Sequence, residues 1–258
     1  MPGRDAIESA GAGGNLRPAV MRARFLILVV VLAALAVVAV ALARTLSSPV
    51  SVKETPIEAG SPAALALNTS FGQSTHGELS SLELDLARGF HFDPRAAAIC
   101  SDSQALAGTC PLASVIGHGT GRILVQGPYL PRTQYAVGAT FYLSPPRHPG
   151  DVAGLVFDMY EPESELQAIL LGRVVPLAHG PYGLALRFSN TARELPSAYQ
   201  LTLVNLQTLL QAQRTTTSST YHLLTNPRSC RRAGWPVRLS IQSAAQTLVF
   251  SSDASCQK

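Results

Sequence analysis

The chain is 258 residues long, 47% apolar and only 14% charged, with a formal net charge of +4. That composition excludes a disordered polymer and provides for one domain with a sizeable core. Two of the four charges fall on residues 1–24, leaving 16 basic against 14 acidic residues in the rest. A body so nearly balanced lacks the broad basic face that nucleic-acid binding needs, so no nucleic-acid partner is expected.

Residues 1–24 are rich in Gly, Ala and Arg and read as a disordered head. Phe25 to Ala43 follows without a charge, Gly or Pro. As a helix it would measure roughly 28 Å, close to the ~30 Å hydrocarbon core of a bilayer. Arg4, Arg17, Arg22 and Arg24 precede it, and only Arg44 and Lys53 follow within twenty residues. The positive-inside bias then puts the head in the cytoplasm and the body outside, in a single-pass cell-membrane arrangement. The alternative is secretion after cleavage near Ala43, where Ala41-Leu42-Ala43 fits a small-x-small site and Met21 would be the start. Nineteen apolar residues exceed the ~7–15 of a signal-peptide core, which favours the uncleaved anchor.

Residues 44–75 are dense in Ser, Thr and Pro and read as a spacer, with Ala63–Leu67 apolar enough for a first edge strand. The folded domain is expected over 76–258. From residue 78 the apolar period becomes two: Leu82, Leu84 and Leu86, then Val137, Ala139, Phe141 and Leu143, then Leu155, Phe157 and Met159. Ala168–Val175, then Leu184, Leu186 and Phe188, Leu201 and Leu203, Val237, Leu239 and Ile241, and finally Leu248 and Phe250 continue it. Turn signals separate the runs, among them Pro145-Pro146, Gly180-Pro181 and Asn226-Pro227. The expected fold is all-β, a single sandwich with two opposed sheets of roughly nine or ten short strands. Leu201–Gln213 also fits a helical period, and strand is preferred for its first half.

All four cysteines, Cys100, Cys110, Cys230 and Cys256, lie on the exported side. An even count in an oxidising compartment reads as two disulfides. Of three possible connectivities, the short separations favour Cys100–Cys110 and Cys230–Cys256. The spacings lack the close pair with which two thiolates grip one zinc ion, and no cofactor is expected.

The segments FDPRAAAIC, CPLASVIGHGTG and TNPRSC, with GWP and a closing Cys256, resemble exported, disulfide-containing β-rich proteins of high-GC Gram-positive bacteria. The resemblance covers roughly residues 78–258 and departs from the pattern at Ala87 and His118. It implies a disulfide-stapled fold and no catalytic residue.

Gly117-His118-Gly119-Thr120-Gly121 has the look of a phosphate loop, but a strand pattern follows where a dinucleotide site needs a helix. A glycine-punctuated strand is the better reading. Among the six histidines no pair stands at i,i+4, so no metal site is assigned. Asp158, Glu161, Glu163 and Glu165 form the densest acidic group. Two such carboxylates could serve glycoside hydrolysis, although Glu alternating with Pro and Ser between strands reads as a hairpin loop. The single Trp235 is expected to pack over a disulfide and not to stack a sugar. No catalytic residue is therefore assigned, with His118, Asp158, Glu161 and Glu163 as candidates if the protein is an enzyme. The expected role is a structural or interaction module of the cell envelope, tethered through residues 25–43, with an envelope protein or polysaccharide as partner. An exported hydrolase acting on envelope polymers is the alternative.

Overall fold

A computed structural model of the chain describes residues 50–71, 79–189, 200–243 and 247–258, all within one compact unit, Pro49–Lys258. The apolar run 25–43 lies outside the described residues, among which no helix is long and apolar enough to cross a membrane.

The chain is all-β. In order come β1 (Val50–Thr55), β2 (Pro62–Ser70), β3 (Leu79–Ala87), β4 (His91–Phe92) and a short helix α1 (Asp102–Leu106). Next are β5 (Val115–Gln126), β6 (Thr133–Ser144), β7 (Ala153–Glu161), β8 (Leu166–Pro176) and β9 (Tyr182–Ser189). The set closes with β10 (Gln200–Leu210), β11 (Gln213–Thr215), β12 (Thr220–His222), β13 (Leu224–Thr225), β14 (Trp235–Ser243) and β15 (Thr247–Ala254). Within the stretch 44–75, read from composition as spacer, Val50–Thr55 form β1 and Pro62–Ser70 form β2. β2 contains the strand expected at Ala63–Leu67, and it is not an edge, being hydrogen-bonded to β10 as well as to β1. The 201–210 stretch is strand throughout.

The strands expected in two opposed sheets are joined into one 13-stranded sheet, in the order β15-β14-β3-β9-β8-β7-β6-β5-β10-β2-β13-β4, with β1 on β2. Every registered pairing in it is antiparallel. The sheet curls on itself. Leu65 and Leu67 of β2, Leu82 and Leu84 of β3, and Leu206 and Leu210 of β10 surround one cavity, although β3 and β2 stand far apart in the strand order. That cavity has room for only about 20 Å³, and its lining is almost wholly apolar. There, side chains fill the interior.

Small residues permit the curl. Gly117, Gly119 and Gly121 lie in β5 opposite Leu210, Thr208 and Leu206 of β10. A Cβ on Gly119 would come within 2.3 Å of the Gln207 carbonyl oxygen, so only glycine lets β5 and β10 approach so tightly. Further round, Gly172 leaves space for the Phe188 ring, which meets Phe141 and Phe157 edge-on at centroid distances of 6.0 and 5.9 Å. Phe141 and Phe157 stack at 4.4 Å.

Two disulfides staple the periphery, with the pairing that the separations favour. Cys100–Cys110 closes the loop carrying α1, whose Ser101 and Gln104 form a reciprocal capping box. This loop covers Val156 and Ile169 on the outer side of β7 and β8. Cys230–Cys256 ties the approach to β14 to the residues after β15. Trp235 is buried beside it, donating Nε1–H to the Ser229 carbonyl at 2.9 Å and meeting Phe90 edge-on at 5.7 Å.

Candidate functional site at the β1–β15 seam

The curl brings β1 and β15 together without pairing them as strands. Only beyond them does the backbone bridge, where Glu58 and Gln257 meet in parallel. There the Ala59 N–H donates to Gln257 O at 2.9 Å and the Gln257 N–H to Ile57 O at 2.8 Å. Asn226 holds the same turn, its side-chain amide donating to the carbonyls of Pro56 and Glu58. Elsewhere along the seam the Phe71 and Phe250 rings approach to 6.1 Å.

A cleft of about 420 Å³ lies along the seam, lined by Val52, Glu54 and Ile57 on one side and Ser252, Asp253 and Ala254 on the other. Alternation along β1 turns Val50, Val52 and Glu54 inward and leaves Lys53 and Thr55 exposed. The first two join the core. Glu54, opposite Leu65 in the register, is a carboxylate at a core position, only 3% exposed. Neither of its oxygens has a hydrogen-bond partner on another residue, and its own backbone N–H only partly offsets the effect of burial. Burial pushes its pKa up to about 7.

A second buried carboxylate shows the ordinary solution. Asp85 has no exposed surface, yet its Oδ2 accepts from Arg238 Nε at 2.7 Å. Arg238 in turn lies over the Tyr182 ring at 4.9 Å. Burial raises the Asp85 pKa and Arg238 opposes the rise. Glu54 has no such counter-charge. It was not legible as a site residue, and its one signal is an acid at the inward parity of a Val-x-Val run.

The residues singled out in the sequence are arranged differently. His118, Thr140 and Asp158 form one row across β5, β6 and β7. Two strand spacings, roughly 10 Å, separate His118 from Asp158, too far for a direct hydrogen bond. His118 is exposed, and Asp158 accepts from Gln167 Nε2 at 3.0 Å. Glu161 lies at the end of β7 and organises the following turn, accepting from the Ser164 side chain and from the Ser164 and Glu163 N–H groups. The Ser164 hydrogen bonds hold its pKa below the usual carboxylate range. Glu163 is exposed on the same turn. Thr140 and Asp158 are half-buried and Glu161 is buried beneath its exposed turn. No group of three His, Cys, Asp or Glu among the described residues could hold a metal ion.

Compared with known protein families, curated proteins and solved structures, the chain matches none.

Proposed function

We propose that the protein is a membrane-tethered, extracytoplasmic all-β interaction module of the cell envelope, engaging its partner at the β1–β15 seam. The observation that carries this reading is Glu54, a buried carboxylate without a partner that lines a cleft between two strand edges. A buried ionisable group with no counter-charge costs several kcal/mol, and such groups collect at functional sites. The disulfides suit an oxidising compartment, and the apolar run 25–43 with its arginine bias supplies tether and orientation.

The test has two parts. A reporter active only outside the cytoplasm should work when fused after Lys258, and activity of a cytoplasm-only reporter there would refute the placement. In intact cells, a photo-crosslinking residue at Ser252 should give one discrete adduct that is lost in Glu54→Gln. Adducts indifferent to Glu54 would refute the seam as the contact surface. The hydrolase alternative has one observation in its favour, the shared outer row of His118 and Asp158. It requires His118→Ala or Asp158→Asn to abolish turnover of an envelope polymer.

A further inference from the structure

We infer that the β1–β15 cleft takes an extended polypeptide segment whose lysine or arginine side chain sets its cation against Glu54. This rests on the interaction-module reading and names the partner class. Among the described residues, the Ser51–Thr55 side away from β2 and the β15 side away from β14 pair with no other strand. Such edges offer backbone N–H and C=O groups to an added strand, the recognition mode in which main-chain hydrogen bonds provide affinity and alternate side chains specificity.

The size and charge of the cleft agree. About 420 Å³ holds a stretch of roughly three residues, at the lower end of ligand sites. Inward side chains of β1 recur every second residue, so Val52 and Glu54 call for an apolar residue and a cation at the same spacing. Asp253 adds a second carboxylate to the lining, while Lys53, the one cation there, is turned outward and exposed. A neutral or acidic segment would leave Glu54 uncompensated, and a cationic one would restore the arrangement that Arg238 gives Asp85. A free alkylammonium could meet the charge alone, but it would leave both strand edges without backbone partners.

The experiment uses the full chain in detergent micelles with two blocked heptapeptides, Ac-TVTVTKT-NH2 and its reversed sequence, which cover both strand directions. Binding is followed by titration calorimetry and amide exchange. One of them should bind and slow exchange at Ser51–Thr55 and Thr247–Ala254. Replacing its lysine by norleucine should weaken binding at least tenfold, as should Glu54→Gln, and the two changes together should cost little more than either alone. N-methylation at alternate peptide bonds should abolish binding. The inference is overturned if neither peptide slows exchange at the seam, if norleucine binds as well as lysine, or if butylamine binds as tightly as the peptide. Because the norleucine comparison needs no protein variant, it stands even if Glu54→Gln misfolds. Loss of peptide binding with the Ser252 adduct retained would reject the cationic segment and leave the interaction module in place.

Discussion

Asn226 donates its side-chain amide to the Glu58 carbonyl at 3.0 Å and, with its second hydrogen, to the Pro56 carbonyl at 2.8 Å. Its own backbone N–H donates to Ser61 O at 2.9 Å, so one buried residue fixes the turn that carries the chain from β1 to β2. The same turn presents Ile57 and Glu58 to Gln257. The seam is therefore held from behind, by a residue on neither of its edges.

Replacing Asn226 by alanine leaves two carbonyls without their donor. The expected loss is about 2 kcal/mol, with faster amide exchange at Ala59 and Gln257. Denaturant melts and exchange of the variant check this. A loss of stability with unchanged exchange at those two amides would contradict the assigned role.

Much of the strand pattern was legible, because Leu82, Leu84 and Leu86 or Val237, Leu239 and Ile241 alternate with polar residues on a sheet with one wet face. The beginning of the domain was not. Glu54 breaks the inward apolar row that Val50 and Val52 begin, so the residue that makes the seam unusual also hides the strand carrying it. The single curled sheet was equally hidden, since Gly117, Gly119 and Gly121 resemble loop residues until their register against β10 is known. Register is a long-range property, and for the same reason the row of His118, Thr140 and Asp158 could not be read from spacing. Trp235 lies buried against Phe90, with its indole N–H on the Ser229 carbonyl.

Gly119→Ala should be severely destabilising, by roughly 3 kcal/mol or more, since its Cβ would lie 2.3 Å from a backbone oxygen that cannot yield cheaply. Gly138→Ala provides the control. It lies on the neighbouring strand, where the nearest atom to a new Cβ is 3.7 Å away, and it should change stability by less than about 1 kcal/mol. Paired thermal melts decide between a tight corner and a general intolerance of side chains in this region.

Glu54 makes stability depend on pH with a defined sign. Its folded pKa of about 7 lies above the ordinary value of 4.5, so the native state keeps a proton that the unfolded chain releases. The contribution is fully present below pH 4.5 and is lost as pH rises through about 7. The total loss is about 3 kcal/mol. Lys53 and Asp253, the other charged residues lining the cleft, are exposed and largely screened. The difference in unfolding free energy between Glu54→Gln and the unmodified chain should grow from pH 4.5 to 8 in favour of the variant. A flat difference would mean that Glu54 is solvated or partnered in solution.

Arg238→Met removes the cation paired with Asp85 while keeping much of the side-chain volume. Breaking a buried pair from one side typically costs 3–5 kcal/mol, because the remaining charge is left uncompensated. Asp85→Asn with Arg238→Met should recover part of that loss. A double variant no more stable than Arg238→Met would show that Arg238 acts through packing on Tyr182 and not through its charge.

The two disulfides should differ in where their loss is felt. Loop-closure entropy predicts about 2.7 kcal/mol for Cys100–Cys110 and about 3.5 for Cys230–Cys256, from separations of 10 and 26 residues. The difference is small, but the surroundings are not alike. Cys100–Cys110 holds α1 over the outer cluster of Val156 and Ile169, away from β1. Cys256 immediately precedes Gln257, whose backbone makes the bridge to Ile57 and Ala59. Cys256→Ser should therefore lower overall stability and also speed exchange at Ala59 and Gln257, the two donors that close the seam. Cys100→Ser should leave those amides protected up to its own global unfolding and loosen only residues 98–114. Exchange measured on both variants under identical conditions separates the cases. Equal protection of the seam amides, after correction for global stability, would mean that the bridge to Gln257 holds without the staple beside it.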